Sequence, residues 1–276
     1  WSEQDLNRIG EAIQRHNPYQ RPLSIHPSGQ TGWPPPHGSQ SSRPFHDESW
    51  LDHHWLQTGQ SFDRMHYLVT RPAENRALEP VRPVFCSEAY YEHAEDPEGA
   101  YHSRWQAWTA FLNGCAGYGY GAQGMWQFRD PDDPGGEPGK PADRASPWRQ
   151  AIAFQGSGQV GHVRSVLGAM SWPRLVPARD KLTVNGRPNP QVSATDISAP
   201  QAASIPGEAW IVYIPRGNAA SAIEIQGVEV SSLSARWIDP RTGEASDAAP
   251  VPVSDGRAKL PPRPDPQEDW ALVLRP

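Results

Sequence analysis

The sequence predicts an α/β domain over residues 1–172, followed by an all-β sandwich over residues 173–276. Three observations predict this. Up to Trp172, strand-like and helix-like patterns alternate, as a parallel sheet with crossover helices requires. The run PVFCSE (83–88) is a continuous apolar run without polar alternation, which suits a strand buried on both faces. After Trp172 the runs LTV, AWIVYI, AIEIQ, SARWID and WALVL are short, and Pro, Gly, Asn and Asp turns separate them. That spacing is typical of a sandwich.

The elements follow in order. Residues 2–15 have Leu6, Ile9 and Ile13 on one helical face, with Ser2 placed to cap and Asp5 in the first turn. Leu23 and Ile25, flanked by prolines, read as a first short strand. Residues 28–48 are a polar loop rich in Gly, Pro and Ser. A second strand starts near Trp50, and 61–71 is helical. PVFCSE is the third strand. Tyr101–Asn113 is a helix with Trp105, Trp108, Phe111 and Leu112 at helical spacing, ended by Gly114. GYGYGA (117–122) is a short fourth strand, 130–147 is a long loop, and two helical stretches lie near 148–154 and 158–170. Four parallel strands make either a doubly wound sheet or half of a (β/α)₈ barrel. Polar residues gather at the strand ends, at His26, Gln57, Glu88 and Gln123. In a barrel those ends form the catalytic face.

Composition narrows the function. The 276 residues carry a formal charge of −6, and no basic run occurs, which speaks against nucleic acid as a partner. No apolar stretch is long enough to span a membrane. Two cysteines, Cys86 and Cys115, cannot make a disulfide scaffold or a four-cysteine zinc site, and their pairing is left open. The chain carries 12 Trp, more than a core readily absorbs, so some are expected to line a surface that binds flat apolar faces such as sugar rings. A wholly buried set is the alternative.

Glu88 ends its strand, and a carboxylate there reads as catalytic in a barrel. A surface acid opening a loop is the other reading. Glu92, one turn on, reads as structural. His53 and His54 are adjacent on a strand, so they point to opposite faces and cannot hold one ion together. HExxH and CxxC are absent. No metal and no organic cofactor are expected. Gly119, Gly121 and Gly124 satisfy G-x-G-x-x-G, but no helix opens after them. Close backbone approach explains them better than dinucleotide binding. Trp126, beside Gln123, is a candidate sugar platform.

Six strings occur in order: RPLSIHPSG, SWLDHHWLQTGQS, RPVFCSEAYYE, GCAGYGYGAQGMWQF, ARWIDPRTGE and DWALVLRP. Together they resemble the apiosidase-like glycoside hydrolases of family 140, over nearly the whole chain. The resemblance implies the C-terminal half of a (β/α)₈ TIM barrel, strands five to eight, followed by a β-sandwich that carries a collagen-binding label in the family. It implies a glycosidase, retaining and exo-acting, on side chains of plant cell-wall polysaccharides. Glu88 takes the nucleophile position. By the resemblance, His26, Gln57, Ser61, Tyr120, Gln123 and Trp126 would line the substrate pocket, and of the adjacent pair His53 is expected to face it.

The resemblance also implies a departure. The family's acid/base carboxylate lies at the end of the fourth strand, upstream of Trp1. A retaining mechanism needs two carboxyl groups about 5–5.5 Å apart, and one is in view. The chain is therefore expected to need an N-terminal barrel half, on the same polypeptide or on a companion chain, because half a barrel exposes sheet edges and an apolar face. Enzymes on cell-wall polymers imply an extracellular or periplasmic location. The alternatives are a carbohydrate- or protein-binding module with a degenerate barrel, and a metal-dependent hydrolase built on the His-rich segment.

Overall fold

The computed structural model describes residues 2–26, 42–58, 62–93, 98–126, 128, 130, 147–220 and 222–276. Helix α1 (Glu3–Arg15) starts at the expected cap: Ser2 Oγ accepts from the Asp5 N–H at 3.1 Å, and the Asp5 carboxylate accepts from the Ser2 N–H at 3.0 Å. This reciprocal pair is a capping box. After a short turn, α2 (Ser42–Phe45), come β1 (His54–Gln57), α3 (Tyr67–Arg76), β2 (Val84–Glu88), α4 (Gly99–Leu112) and β3 (Gly117–Tyr118). The strands form a parallel sheet in the order β1-β2-β3. Helices α5 (Trp148–Ala151) and α6 (Gln155–Leu167) follow.

Three parallel strands are described, one fewer than expected. The segment Leu23–Ile25 runs beside the start of β1 without forming a ladder. Asp52 N–H donates to the Leu23 carbonyl at 2.9 Å, but Leu23 N–H goes to the Asp52 carboxylate at 2.7 Å, and Ser24 Oγ donates to the His53 carbonyl at 2.7 Å. Side chains take the places of ladder partners, and Pro22 has no N–H to offer.

The C-terminal part differs from two separate sheets. Ten strands make one continuous antiparallel sheet. They are β4 (Val176–Pro177), β5 (Leu182–Val184), β6 (Arg187–Pro188), β7 (Gln201–Ile205), β8 (Ala209–Ile214), β9 (Ile223–Gln226), β10 (Ser232–Ile238), β11 (Ala249–Ser254), β12 (Arg257–Lys259) and β13 (Trp270–Arg275), in the order β4-β7-β8-β13-β10-β11-β12-β9-β5-β6. Strand β11 makes the bend: Ala249–Pro252 pair with β10, and Val253 and Ser254 pair with β12. The sheet curls on itself around Val212, Ile214, Ile225, Leu233 and Leu272.

At β8 and β13 the other face of the sheet is covered as well. Ile211 and Tyr213 of β8, and Ala271 of β13, join one core with Trp105, Trp108 and Val84. Strand β8 is therefore buried on both faces, which explains its nearly unbroken apolar run. Helix α4 lies between the parallel sheet and the curled sheet, and every residue from Tyr101 to Ala110 is buried. Cys86 and Cys115 are both free and buried, and burial pushes both thiols above their usual range.

Candidate active site

Strict alternation along β2 would turn Glu88 toward the helices. Val84 and Cys86 do face the helical core, at 1% and 0% exposure. The ladder with β1 then slips. Leu56 stands opposite Cys86, but Gln57 stands opposite Glu88, so Ser87 is an extra residue. Such a bulge re-aims the next side chain. Glu88 thereby joins the face of Trp55 and Phe85, which are paired in register.

Among the described residues, two donors meet its oxygens. His26 Nε2 lies 2.5 Å from Oε2, and the Tyr91 hydroxyl donates to Oε1 at 3.0 Å. His26 is stacked on Trp55, with centroids 4.9 Å apart and planes at 30°. The carboxylate is 15% exposed and the imidazole 50%, so the cluster opens outward at the histidine. Burial, and next the neighbouring Glu88 charge, push the Tyr91 phenol well above its ordinary value. It stays a neutral donor.

The glycines of GYGYGA let the backbone approach this cluster. A Cβ at Gly117 would enter the Phe85 ring, one at Gly119 the Ser87 carbonyl, and one at Gly121 the Tyr91 ring. Close approach is what places Trp126 by the site. Its ring centroid is 6.4 Å from that of Tyr91, its Nε1 donates to Gln123 Oε1 at 3.3 Å, and it is 45% exposed.

A second carboxylate is engaged elsewhere. Glu92 is 1% exposed and accepts from the Tyr120 hydroxyl at 2.5 Å and from the Gly156 N–H at 3.1 Å. It sits at the N-terminal end of α6, where the orphan amides and the helix dipole favour an anion. The Tyr120 hydroxyl is thus directed at Glu92, whereas the resemblance put Tyr120 on the substrate. Burial, then Glu92, push its phenol far above the usual value.

The remaining expected residues divide. Gln57 sits across the ladder from Glu88, and its Oε1 is buried without a partner among the described residues. An open acceptor beside the carboxylate is costly unless a ligand or water fills it. His53 does not join the group: it precedes the first residue of β1, at the opposite strand end, with its ring edge-on to Phe85 at 4.9 Å. The alternation that separates it from His54 puts it on the Trp55 side of the strand, but one step further from Glu88. Ser61 lies outside the described residues. Tyr91 and Trp55 were missed. Trp55 was readable, being two residues before Gln57 on the same strand face. Tyr91 was not, since its contact depends on the turn after the bulge.

Residues 2–174 match the family described as "Apiosidase-like, catalytic domain", and residues 184–275 match "Putative collagen-binding domain of a collagenase". No curated protein matches significantly. A solved structure named "Glycoside hydrolase" is similar at 18% identity and a TM-score of 0.68, over 86% of this chain and 55% of that one. A family 5 glycoside hydrolase from Bacteroides vulgatus ATCC 8482 is similar at 18% identity and a TM-score of 0.76, over 97% of this chain and 58% of that one. The family 30 subfamily 8 xylanase Xyn30A from Clostridium acetobutylicum has 9% identity and a TM-score of 0.50, over 100% of this chain and 61% of that one. The chain spans a little more than half the length of these structures, and the likeness is one of fold. The first family match takes in more than half of the sequence, so the chain belongs to the apiosidase-like family, through its catalytic domain.

Proposed function

We propose that this chain carries the nucleophile half of a retaining, exo-acting glycoside hydrolase that removes side-chain sugars from plant cell-wall polysaccharides. The observation that carries the reading is Glu88: a carboxylate at a strand's C-terminal end, turned by a bulge onto the Trp55 face and aimed by Tyr91 and His26. In the reaction, a Glu88 oxygen forms a bond to the anomeric carbon as the glycosidic C–O bond breaks. A protonated carboxyl group gives its proton to the leaving oxygen, then takes one from the water that cleaves the glycosyl ester.

Among the described residues, the nearest further carboxylate in sequence, Glu92, is buried and occupied by Tyr120 and Gly156. The resemblance to the family puts the acid/base at the end of the fourth strand, in the other half of the barrel, on the same polypeptide or on a companion. The burial pattern supports this. Val84 and Cys86, facing the helices, are buried, whereas Trp55, Phe85 and Ser87 are half-buried. An inner face of that kind calls for an opposite wall. Gln57, Gln123 and Trp126 orient the sugar. A polymeric cell-wall substrate goes with an extracellular or periplasmic enzyme.

Glu88→Gln tests the reading. It should lower kcat by at least about 10³-fold while the thermal midpoint changes little. In Glu88→Ala, azide should restore turnover as a glycosyl azide. Undiminished turnover in Glu88→Gln would overturn the assignment. Polysaccharide binding by the wild type without release of reducing sugar would favour a binding module instead.

A further inference from the structure

We propose that Gln106 is the positioning residue of the Glu88 turn, and that α4 carries it as a fixed bar; this rests on the reading of Glu88 as nucleophile. Gln106 is fully buried on α4. Its Oε1 accepts from the Tyr90 N–H at 2.8 Å and faces Thr58 Oγ1 at 3.4 Å. Its Nε2 donates to the Tyr90 carbonyl at 3.0 Å and the His102 carbonyl at 3.2 Å. The amide thus grips both polar groups of one peptide residue, and that residue stands between Glu88 and Tyr91.

The same side chain reaches the neighbouring strand. Thr58 follows Gln57, and its N–H donates to the Glu88 carbonyl at 3.1 Å. The ends of β1 and β2, with the residues that face a sugar, therefore meet at one amide. Only a side chain with an acceptor and a donor on one carbon can satisfy both Tyr90 groups at once. A hydrocarbon there would leave two buried backbone groups open, and the turn would rotate to recover them.

Such a grip aims Glu88 only if its own base is immobile. Residues 104 and 106 lie about 200° apart around a helix, so Arg104 points away from the turn. It enters the curled sheet, where Asp269 holds it at 2.7 and 3.1 Å. Trp105 Nε1 donates to the Ile197 carbonyl at 2.9 Å, and Asn113 Nδ2 to Gln201 Oε1 at 3.0 Å. The C-terminal sheet anchors the helix on one side, and Gln106 holds the nucleophile turn on the other.

The test reads the attack step itself. A panel of aryl glycosides identifies the sugar cleaved by the wild-type protein, and the 2,4-dinitrophenyl 2-deoxy-2-fluoro glycoside of that sugar is the probe. Mass spectrometry follows covalent labelling of Glu88. Gln106→Met should slow labelling at least tenfold with KM within about threefold of wild type. Leu112→Ala, on the same helix but away from the turn, should lower the thermal midpoint and leave labelling unchanged. If Gln106→Met does not fold, Gln106→Asn, too short to span the Tyr90 peptide, is read in the same way, and Thr58→Val probes the grip from the β1 side. Labelling within twofold of wild type in a folded Gln106 variant would overturn the proposal, as would equal slowing in Leu112→Ala. A wild-type protein labelled elsewhere than Glu88 would instead overturn the nucleophile reading.

Discussion

Arg104 on α4 and Asp269 at the head of β13 form a two-point ion pair, at 2.7 and 3.1 Å, across 165 residues of sequence. Both are buried, at 2% and 0% exposure. The Tyr213 hydroxyl donates to the same carboxylate at 2.8 Å, and Gln159 of α6 takes the third guanidinium nitrogen at 2.6 Å. A buried pair of this kind is tolerable because every guanidinium nitrogen and both carboxylate oxygens have a partner. Around it Arg216 and Arg241 pair with Glu268, and Arg241 pairs with Asp239 at the ARWIDPRTGE turn. At the tip of that turn, a Cβ on Gly243 would strike His162 of α6. The two strings that mark the C-terminal region in sequence thus help to fasten it to the α/β part, beside Ile197 and Gln201.

Removing one partner should be far worse than losing a surface bridge. Asp269→Ala leaves Arg104 buried and unpaired, and we expect a loss of about 3–5 kcal/mol. Calorimetry should show one transition, shifted down as a whole. Separate melting of the C-terminal sheet, with the α/β part unchanged, would show that the pair does not join them.

Tyr91→Phe deletes the hydroxyl that meets Glu88 Oε1. A lost hydrogen bond to a charged group predicts kcat lower by about tenfold or somewhat more. Steady-state kinetics on an activated aryl glycoside would measure this. Gly121→Ala should act in the same direction, because its Cβ would push the Tyr91 ring. Full activity in both would remove Tyr91 from the mechanism.

Acid should unfold the protein partly through His54. The ring is fully buried. His46 Nε2 donates to the Glu79 carbonyl at 2.8 Å, so its Nδ1 is the acceptor for His54 Nε2 at 3.4 Å. Burial, then the neighbouring His46, Arg82 and His53, bring the His54 pKa down to about 4. The unfolded chain, with an ordinary value near 6.5, takes up the proton first. Stability contributed by neutral His54 is complete above about pH 6.5, falls as pH drops toward about 4, and changes no further below. The full loss is about 3 kcal/mol. Urea midpoints across this range should fall less steeply in His54→Asn than in wild type; parallel curves would refute the assignment.

Trp126→Ala removes an exposed ring beside the site. Stacking of about 0.5–1.5 kcal/mol predicts KM higher by about three- to tenfold, with kcat nearly unchanged. Kinetics on a natural oligosaccharide would check it. An unchanged KM would make Trp126 a bystander.

Local pattern carried much of this protein. The cap at Ser2 and the helix around Trp105 and Trp108 depend on neighbours within a few residues, and the run of β8 and the glycines at 117, 119 and 121 announce themselves by residue type. That dependence is written as periodicity and residue type. Glu88 at a strand end was legible for the same reason. Its aim was not. Alternation alone would have buried it among the helices, and only the slip at Ser87, set by pairing with β1, turned it to the open face. The place of His53 just before β1 follows from chain order, but tertiary pairing likewise left residues 23–25 outside the sheet, turned Tyr120 to Glu92 and curled ten strands into one sheet. Gln106, Arg104 and Asp269 belong to the same class. Register and buried polar partners are decided by which distant groups satisfy one another, and side-chain spacing along the chain holds no record of that.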